Sequence, residues 1–471
     1  MKRLTMKFGG TSIGSVHAFR LAADIVARDS SRWDQIVVVV SAMSGVTDAL
    51  VEAASTASEG DDKTHRQIHD RLVAKYGEVV RELIKEPEAR NELLLALKSL
   101  MDKLPQSCSE LRRLGHRDPR RMDIVASLGE RSCARIFAAL LDQQGISSAA
   151  IEATELIVTD DHFQNALPKM ELTQSKVADR LGPLLASGVI PVVTGFIGAT
   201  EQGEITTLGR GGSDYSAAIL AKCLDTDELW LWTDVNGVLT ADPRIVDDAQ
   251  VNEFLSYREV AELAYFGAKV VHPKTIQPLA EREIPIWVKN TFASAVQGTC
   301  IRRQTDGSNG TIKGITAIRD LSLLTIEGRG MLGVPGIAAR TFSAVASTGV
   351  SVLMISQASS EQSICFVVPS DTSSRVISAL EEEMESELSR GDIDKIWSLD
   401  HVVIVTVVGV GIRETPGIAA RIFGAIGKAN INAIAIAQGS SEISLSLVVE
   451  KADANHAVRS LHAELINSAQ P

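Results

Sequence analysis

Aromatic residues are scarce in this chain, at 4% of its 471 positions. Hydrophobic residues nevertheless make up 45%, so a large core must be assembled mainly from Val, Ile, Leu and Ala. Cysteine is sparse too. Cys108, Cys133, Cys223, Cys300 and Cys365 are odd in number, scattered and free of any C-x-x-C spacing, which excludes a disulfide framework and a structural zinc site. No long basic run occurs and the net charge is −12, so neither nucleic acid nor an anionic membrane is an expected partner. The N-terminal MKRLTMKFGG lacks a secretory apolar core, and no apolar stretch is long enough to span a bilayer. The expected location is the cytoplasm. An acidic chain that handles anions has to build positive potential locally, so single Lys and Arg residues within Gly-rich loops carry weight.

The length calls for roughly two to four domains. Leu4 to Phe8 is a short apolar run followed by Gly9-Gly10-Thr11-Ser12 and a helical stretch. Ile36 to Val40 (IVVVV) is a continuous β-branched run, the mark of a strand buried on both faces in a parallel sheet. From Asp61 to Asp123 the pattern is charged and helical, a helical excursion covering the sheet. Strand signals return at 189–193, at 228–232 (ELWLW) and at 285–289 (PIWVK), several of them ending in Gly, Ser, Thr or Asp. Alternating strands and helices predict an α/β domain over residues 1–300, with ligands beyond the carboxyl ends of the strands.

A Gly/Ser/Thr/Gln-rich stretch at 294–309 marks a boundary, and beyond it lies an internal repeat. Residues 328–369 and 409–450, laid at an offset of 81, are identical at 18 of 42 positions without a gap. Each copy reads strand, Gly-rich turn, helix, strand, strand, helix. Pro335 and Pro416 stand at helix starts. Ala338, Phe342 and Val345, like Ala419, Phe423 and Ile426, are expected to form the buried faces. Gly349 and Asn430 suit left-handed helix ends.

Five segments bear on chemistry. In Lys7-Phe8-Gly9-Gly10-Thr11-Ser12 a strand-end Lys meets a glycine turn. Alone it fits either a tight turn with a solvated Lys or a phosphate cradle of backbone N–H groups, and its spacing is not that of a P-loop. Thr206 to Ser216 (TTLGRGGSDYS) sets three glycines around Arg210, whose planar fork suits a carboxylate, and follows them with Ser213 and Asp214 at a helix start. Thr233-Asp234 ends the ELWLW strand. Lys269 lies in FGAKVVHPKT, where His272 before Pro273 reads as a capped or packed residue rather than a catalyst. Glu130, in Gly129-Glu130-Arg131, reads by itself as a helix-surface carboxylate.

Taken in order, KFGGTS, VSAMSGVTD, SLGER, TTLGRGGSDYSAA, WTDVNGVLTADPR and FGAKVVHPKT resemble the aspartate kinases of the amino-acid kinase superfamily, and the repeat resembles their paired ACT regulatory modules. The resemblance covers essentially the whole chain. It implies a three-layer αβα sandwich of the amino-acid kinase type plus two ferredoxin-like α+β ACT modules, at 310–400 and 401–471, with a strand near 311–318 completing the second. It also implies transfer of the γ-phosphoryl group of ATP, as its Mg²⁺ complex, to the side-chain carboxylate of L-aspartate. Lys7, Gly9 and Gly10 are then expected at the phosphoryl group. Ser41, Thr47, Glu130, Arg210, Gly211, Gly212 and Ser213 are expected around aspartate, Arg210 on a carboxylate and Glu130 on the α-ammonium. Asp214 is expected to orient the lysine, and Thr233, Asp234, Leu239, Arg244 and Lys269 to bind ATP. Leu239 departs from the family pattern, in which many relatives carry Tyr.

Because the acceptor carboxylate is already ionised at neutral pH, no general base is expected, and the ligands of the metal stay unknown. In bifunctional relatives a homoserine dehydrogenase follows; with the chain stopping at Pro471, that activity is expected to be absent. Gln357 and Gln438 lie at matching strand ends in the repeat and suit a neutral polar effector. A lysine effector calls for a carboxylate, and Leu353 stands near where lysine-sensitive relatives have Asp, so threonine is expected over lysine. A homodimer or homotetramer through the ACT modules is expected. The alternatives are another amino-acid kinase, acting on glutamate, acetylglutamate or a nucleoside monophosphate, and a catalytically silent amino-acid sensor.

Overall fold

The computed structural model describes residues 1–268, 271–303, 312–331, 334–357, 362–412, 415–439 and 443–467. They divide into two compact units. The first comprises Met1–Val238, Val251–Val260 and Lys269–Thr305, the second Leu239–Gln250, Ala261–Ala268 and Asp306–Pro471.

The strands of the first unit are β1 (Arg3–Phe8), β2 (Gln35–Val40), β3 (Ser148–Ile151), β4 (Val158–Thr159), β5 (Ile190–Thr194), β6 (Ile197–Thr200), β7 (Ile205–Thr207), β8 (Glu228–Thr233), β9 (Phe254–Ser256), β10 (Ile286–Asn290) and β11 (Thr299–Arg302). Eight of them form one sheet in the order β3-β5-β2-β1-β8-β10-β11-β9. From β3 to β10 every pairing is parallel. All six residues of β2 are buried, as its unbroken β-branched run predicts for a strand covered on both faces. Strand parity then sorts the side chains. Leu4, Met6 and Phe8, with Ile36, Val38 and Val40, join the helical layer of Val16–Ser30 and Leu128–Gln143. Lys7 has the opposite parity and faces helix Gly212–Leu224, which packs on β1, β8 and β2. The charged stretch after residue 61 forms helices Thr64–Leu83, Pro87–Met101, Lys103–Leu114 and Pro119–Ala126. Their apolar stripes extend the same core. Strands β4, β6 and β7 make a separate small sheet in the order β4-β6-β7.

The second unit holds β12 (Gly314–Glu327), β13 (Met354–Gln357), β14 (Ser363–Pro369), β15 (Lys395–Val408), β16 (Ala435–Ala437) and β17 (Ser444–Glu450). They form one antiparallel sheet in the order β13-β14-β12-β15-β17-β16. The early half of β12 pairs with the late half of β15 (Gly314↔Val408 to Ile318↔Ile404), and its later half pairs with β14 (Leu321↔Pro369 to Glu327↔Ser363). The register shifts beside Asp320, which with its repeat counterpart His401 has positive φ (58° and 60°). Helices Ile337–Ser347 and Ser373–Glu383 cover one copy; Ile418–Lys428 and Ala454–Leu465 cover the other.

Of the expected buried faces, Val345 and Ile426 are buried and Ala338 and Phe342 pack partly against the core, whereas Ala419 and Phe423 turn outward. The inward residues are Ile337, Thr341, Ala344 and Val345 in one copy and Ile418, Ile422, Ala425 and Ile426 in the other. Phe423 is 38% exposed, and Ala419 is exposed. The expected stripe began one residue late, which rotates it by about 100° on a helix. The helices start after Gly336 and Gly417, which have φ of 95° and 89°; Pro335 and Pro416 lie just outside. Gly349 and Asn430 are left-handed as expected, with φ of 73° and 55°.

Two excursions from the N-terminal sequence belong to this unit. The Thr240 carbonyl accepts from Ile315 N (2.8 Å), and its hydroxyl lies 2.8 Å from His462 Nε2. Ala241 and Val246 enter the apolar core beneath helix Ile418–Lys428. Phe266 packs with Leu321, Leu323, Val402 and Ile404, and Glu262 accepts from the Ser444 hydroxyl (2.8 Å). No helix of the described residues is long and apolar enough to cross a membrane.

Candidate active site

The parallel strands of the first unit end in small residues, and the turns after β1, β2 and β5 knit together at that edge. Gly9 N donates to the Trp232 carbonyl (3.0 Å), Ser41 N to Phe8 (3.1 Å), Ser44 N to Gly10 (3.2 Å) and Gly195 N to Val40 (2.8 Å). Gly10 is required by this closeness, since a Cβ there would stand 2.9 Å from the Ala42 carbonyl oxygen.

Above the turns lies a cavity of about 610 Å³ whose lining includes Lys7, Gly10, Ser41, Thr47, Glu130, Arg210, Gly211, Gly212, Ser213 and Asp214. Residues expected around the phosphoryl group and around aspartate thus border one space. Lys7 Nζ and Asp214 Oδ1 are 2.6 Å apart, both side chains largely shielded. Asp214 stands in the first turn of helix Gly212–Leu224, where a carboxylate is favoured by the helix dipole. Arg210 is exposed on a loop whose geometry is fixed by its glycines. Gly209 and Gly211 have φ of 76° and 73°, and a Cβ on Gly211 would come within 2.6 Å of His272 Cβ.

His272 itself caps helix Pro273–Ala280, its Nδ1 accepting from Lys274 N (3.2 Å). Burial, then the nearby Lys274, lower its basicity, in keeping with a packed, capping role.

Glu130 departs from its sequence reading as a surface carboxylate. It is 3% exposed because helix Leu128–Gln143 docks against the β2 turn at Gly129, where a Cβ would lie 2.6 Å from Ala42 Cβ. Its Oε2 is buried and has no hydrogen-bond partner. Burial pushes its carboxyl up to about 8, opposed by the backbone amides of Ala42 and Glu130 and by the Lys7 ammonium. A buried carboxylate with one oxygen unsatisfied beside an open cavity is a ready acceptor for a cationic ligand group.

Of the residues expected at the nucleotide, Gly9 and Gly10 follow β1, and Thr233 ends the adjacent β8 with Asp234 just past it, the Thr233 hydroxyl donating to Asp234 Oδ1 (3.1 Å). Leu239 and Arg244 belong to the second unit, where Arg244 is paired with Asp242 (2.7 Å). Lys269 lies outside the described residues. Gln357 and Gln438 are exposed, at the end of β13 and just past β16.

Asp123, Gln164, Phe196 and Thr207 also line the cavity and were not singled out from sequence. Asp123 had a signal, being an acid among Met122, Val125 and Ala126 on the buried side of helix Pro119–Ala126. Phe196 had none before its positive φ of 70° was seen.

Residues 2–290 match the model of the amino acid kinase family, and residues 324–384 and 405–465 that of the ACT domain. A bifunctional aspartokinase/homoserine dehydrogenase 1 of Arabidopsis thaliana is 36% identical over 462 residues, covering 97% of this chain and 50% of that protein. The chain spans about half the length of the first curated relatives it matches. Aspartokinase 1 of Arabidopsis thaliana is 32% identical over 470 residues, covering 98% of this chain and 80% of that protein. Among solved structures, Escherichia coli aspartokinase III in complex with aspartate and ADP aligns with a TM-score of 0.78 at 28% identity, covering 98% of this chain and 100% of that one. The same enzyme in complex with lysine and aspartate aligns equally well, over 99% of this chain and 100% of that one.

Proposed function

From the chain's membership of the amino acid kinase family, within it of the aspartokinases, we propose that it transfers the γ-phosphoryl group of ATP to the β-carboxylate of L-aspartate, giving 4-phospho-L-aspartate. The observation that carries this reading is the pairing of charges around one cavity. The buried carboxylate of Glu130, whose Oε2 has no hydrogen-bond partner, suits an α-ammonium. Arg210, on its glycine loop with Ser213, suits a carboxylate; Ser41 and Thr47 add hydroxyls. An acceptor bearing one ammonium and two carboxylates matches that set, and a relative bound to aspartate and ADP supports it.

The reaction brings an anion onto a polyanion, so positioning and charge neutralisation carry the catalysis. Lys7 would meet the transferring phosphoryl group, with Gly9 and Gly10 leaving backbone N–H groups free to approach it. Asp214, 2.6 Å from Lys7 Nζ, would keep that ammonium aimed. The acceptor needs no base, because its carboxylate is ionised near neutrality. Mg²⁺ would arrive with ATP and would supply charge neutralisation to its phosphates. Thr233, Asp234, Leu239, Arg244 and Lys269 are proposed at the nucleotide. Leu239 can offer backbone contacts but no ring.

The product would open lysine, threonine and methionine biosynthesis, in the cytoplasm. The ACT modules are proposed to bind threonine through Gln357 and Gln438 and to hold a homodimer or homotetramer. Leu353, apolar and half-buried, offers no carboxylate to a lysine ammonium.

The test is ADP release from Mg-ATP with aspartate, glutamate, acetylglutamate and UMP as acceptors. Turnover with aspartate alone supports the reading. Turnover with another acceptor, or threonine binding without any turnover, overturns it.

A further inference from the structure

Asp123 borders the same cavity as Glu130 but is bonded differently. It is 1% exposed, and both carboxylate oxygens are engaged. Oδ2 accepts from the backbone N–H of Gln164 and of Thr207, each at 2.9 Å, and Oδ1 accepts from the Thr207 hydroxyl at 2.8 Å. All three donors are neutral. Burial raises the carboxyl to about 6, against the pull of these hydrogen bonds.

The two residues it holds lie 41 and 84 positions further along the chain, and both lead to the Arg210 loop. Thr207 ends β7 and stands three residues before Arg210. Gln164 precedes Asn165, whose Oδ1 lies 2.7 Å from the point a Cβ on Gly209 would occupy. That oxygen also accepts from Lys274 Nζ at 2.5 Å. Gln164 has φ of 69°, a conformation that costs a non-glycine residue about 1 kcal/mol and persists where neighbours over-determine it. Leu208 N donates to the Phe196 carbonyl and Ala166 N to the Thr207 carbonyl (each 2.9 Å); Asp123 is the side chain that adds Gln164 itself to this junction.

We infer that Asp123 is a positioning residue for the acceptor: by clamping Thr207 and Gln164 together it fixes the base of the Gly209–Gly212 loop, so that Arg210 meets the substrate carboxylate in one orientation. This rests on the reading of Arg210 as the carboxylate-binding residue of an aspartate kinase. The effect is confined to the acceptor side, because Lys7 is held by β1 and by Asp214 and not by Asp123.

A double-mutant cycle tests it. Aspartate KM, ATP KM and kcat are measured for wild type, Asp123→Asn, Arg210→Lys and the double variant. The expected result is a rise of about tenfold in aspartate KM for Asp123→Asn, with ATP KM within twofold of wild type. On the Arg210→Lys background the same substitution adds less than twofold, since the residue it positions is already compromised. Additive effects, an unchanged aspartate KM, or a fall in kcat with both KM values unchanged overturns the inference. Should Asp123→Asn fail to fold, Thr207→Val, which removes only the hydroxyl donor, is expected to raise aspartate KM twofold to threefold; no change there overturns it as well. Wild-type turnover separates the two levels. If wild type does not phosphorylate aspartate, the activity itself is misread; if it does and the cycle is additive, only the role of Asp123 falls.

Discussion

Replacing Glu130 with Gln separates what the site costs the fold from what it gives the substrate. In the ligand-free chain the carboxyl is raised from 4.5 to about 8 by burial. A folded-state value above the unfolded one means that the native state holds the proton more tightly. The associated stability is therefore complete below about pH 4.5 and drains away as pH climbs towards 8. At about 1.4 kcal/mol for each factor of ten in acidity, the full span is on the order of 5 kcal/mol. Water entering the open cavity screens part of it, leaving about 2–3 kcal/mol between pH 5 and pH 8.

Gln cannot ionise, so the unfolding free energy of Glu130→Gln should gain on wild type steadily from pH 5 to pH 8. The assay is urea unfolding at each pH, followed by tryptophan fluorescence; Trp33, Trp230, Trp232 and Trp287 all lie in the first unit. Asp123, raised to about 6, titrates in both proteins and cancels in the difference. Saturating aspartate should reverse the order, stabilising wild type and leaving the variant unmoved, while aspartate KM rises by about 100-fold in the variant. A difference between the two proteins that stays constant across pH refutes the reasoning, because burial would then not be what sets the state of Glu130.

Lys7→Ala should lower kcat by about 10²–10³ while the protein stays folded and aspartate KM moves little, since the lost charge acts on the transferring group; kinetics with circular dichroism as a folding control check it. Gly211→Ala forces a Cβ onto His272 and onto a φ of 73°. It should cost about 1–3 kcal/mol of stability and raise aspartate KM, readable by thermal melting and kinetics together. Gln357→Ala and Gln438→Ala should each raise the threonine concentration for half-inhibition about tenfold with uninhibited turnover unchanged. Inhibition by lysine in place of threonine would remove the basis for choosing those residues.

What could be read before the fold was seen was what depends on local pattern. The IVVVV run gave a strand buried on both faces, the glycines around Arg210 gave a loop at a helix start, and the 81-residue offset gave a repeated module. What could not be read depends on contacts between distant segments. Glu130 reads as a surface acid until helix Leu128–Gln143 is seen docked against Ala42. Asp123 is unremarkable until its partners 41 and 84 residues away close on it. Nothing local tells that Thr240 and Phe266 pack within the second unit. On helix Ile418–Lys428 only Ile426 of the expected face is buried: Phe423, the bulkiest apolar residue there, points outward, and β-branched Ile418 and Ile422 fill the core beside Ile426.

The most direct test of the central claim, that cations set among glycines bring two anions together at this cavity, is hydroxylamine trapping of the acyl phosphate from Mg-ATP and aspartate. Wild type should give aspartyl hydroxamate in step with ADP release, and folded Lys7→Ala and Arg210→Ala should give little or none. Undiminished hydroxamate from either variant, or ADP release by wild type without hydroxamate, would contradict it.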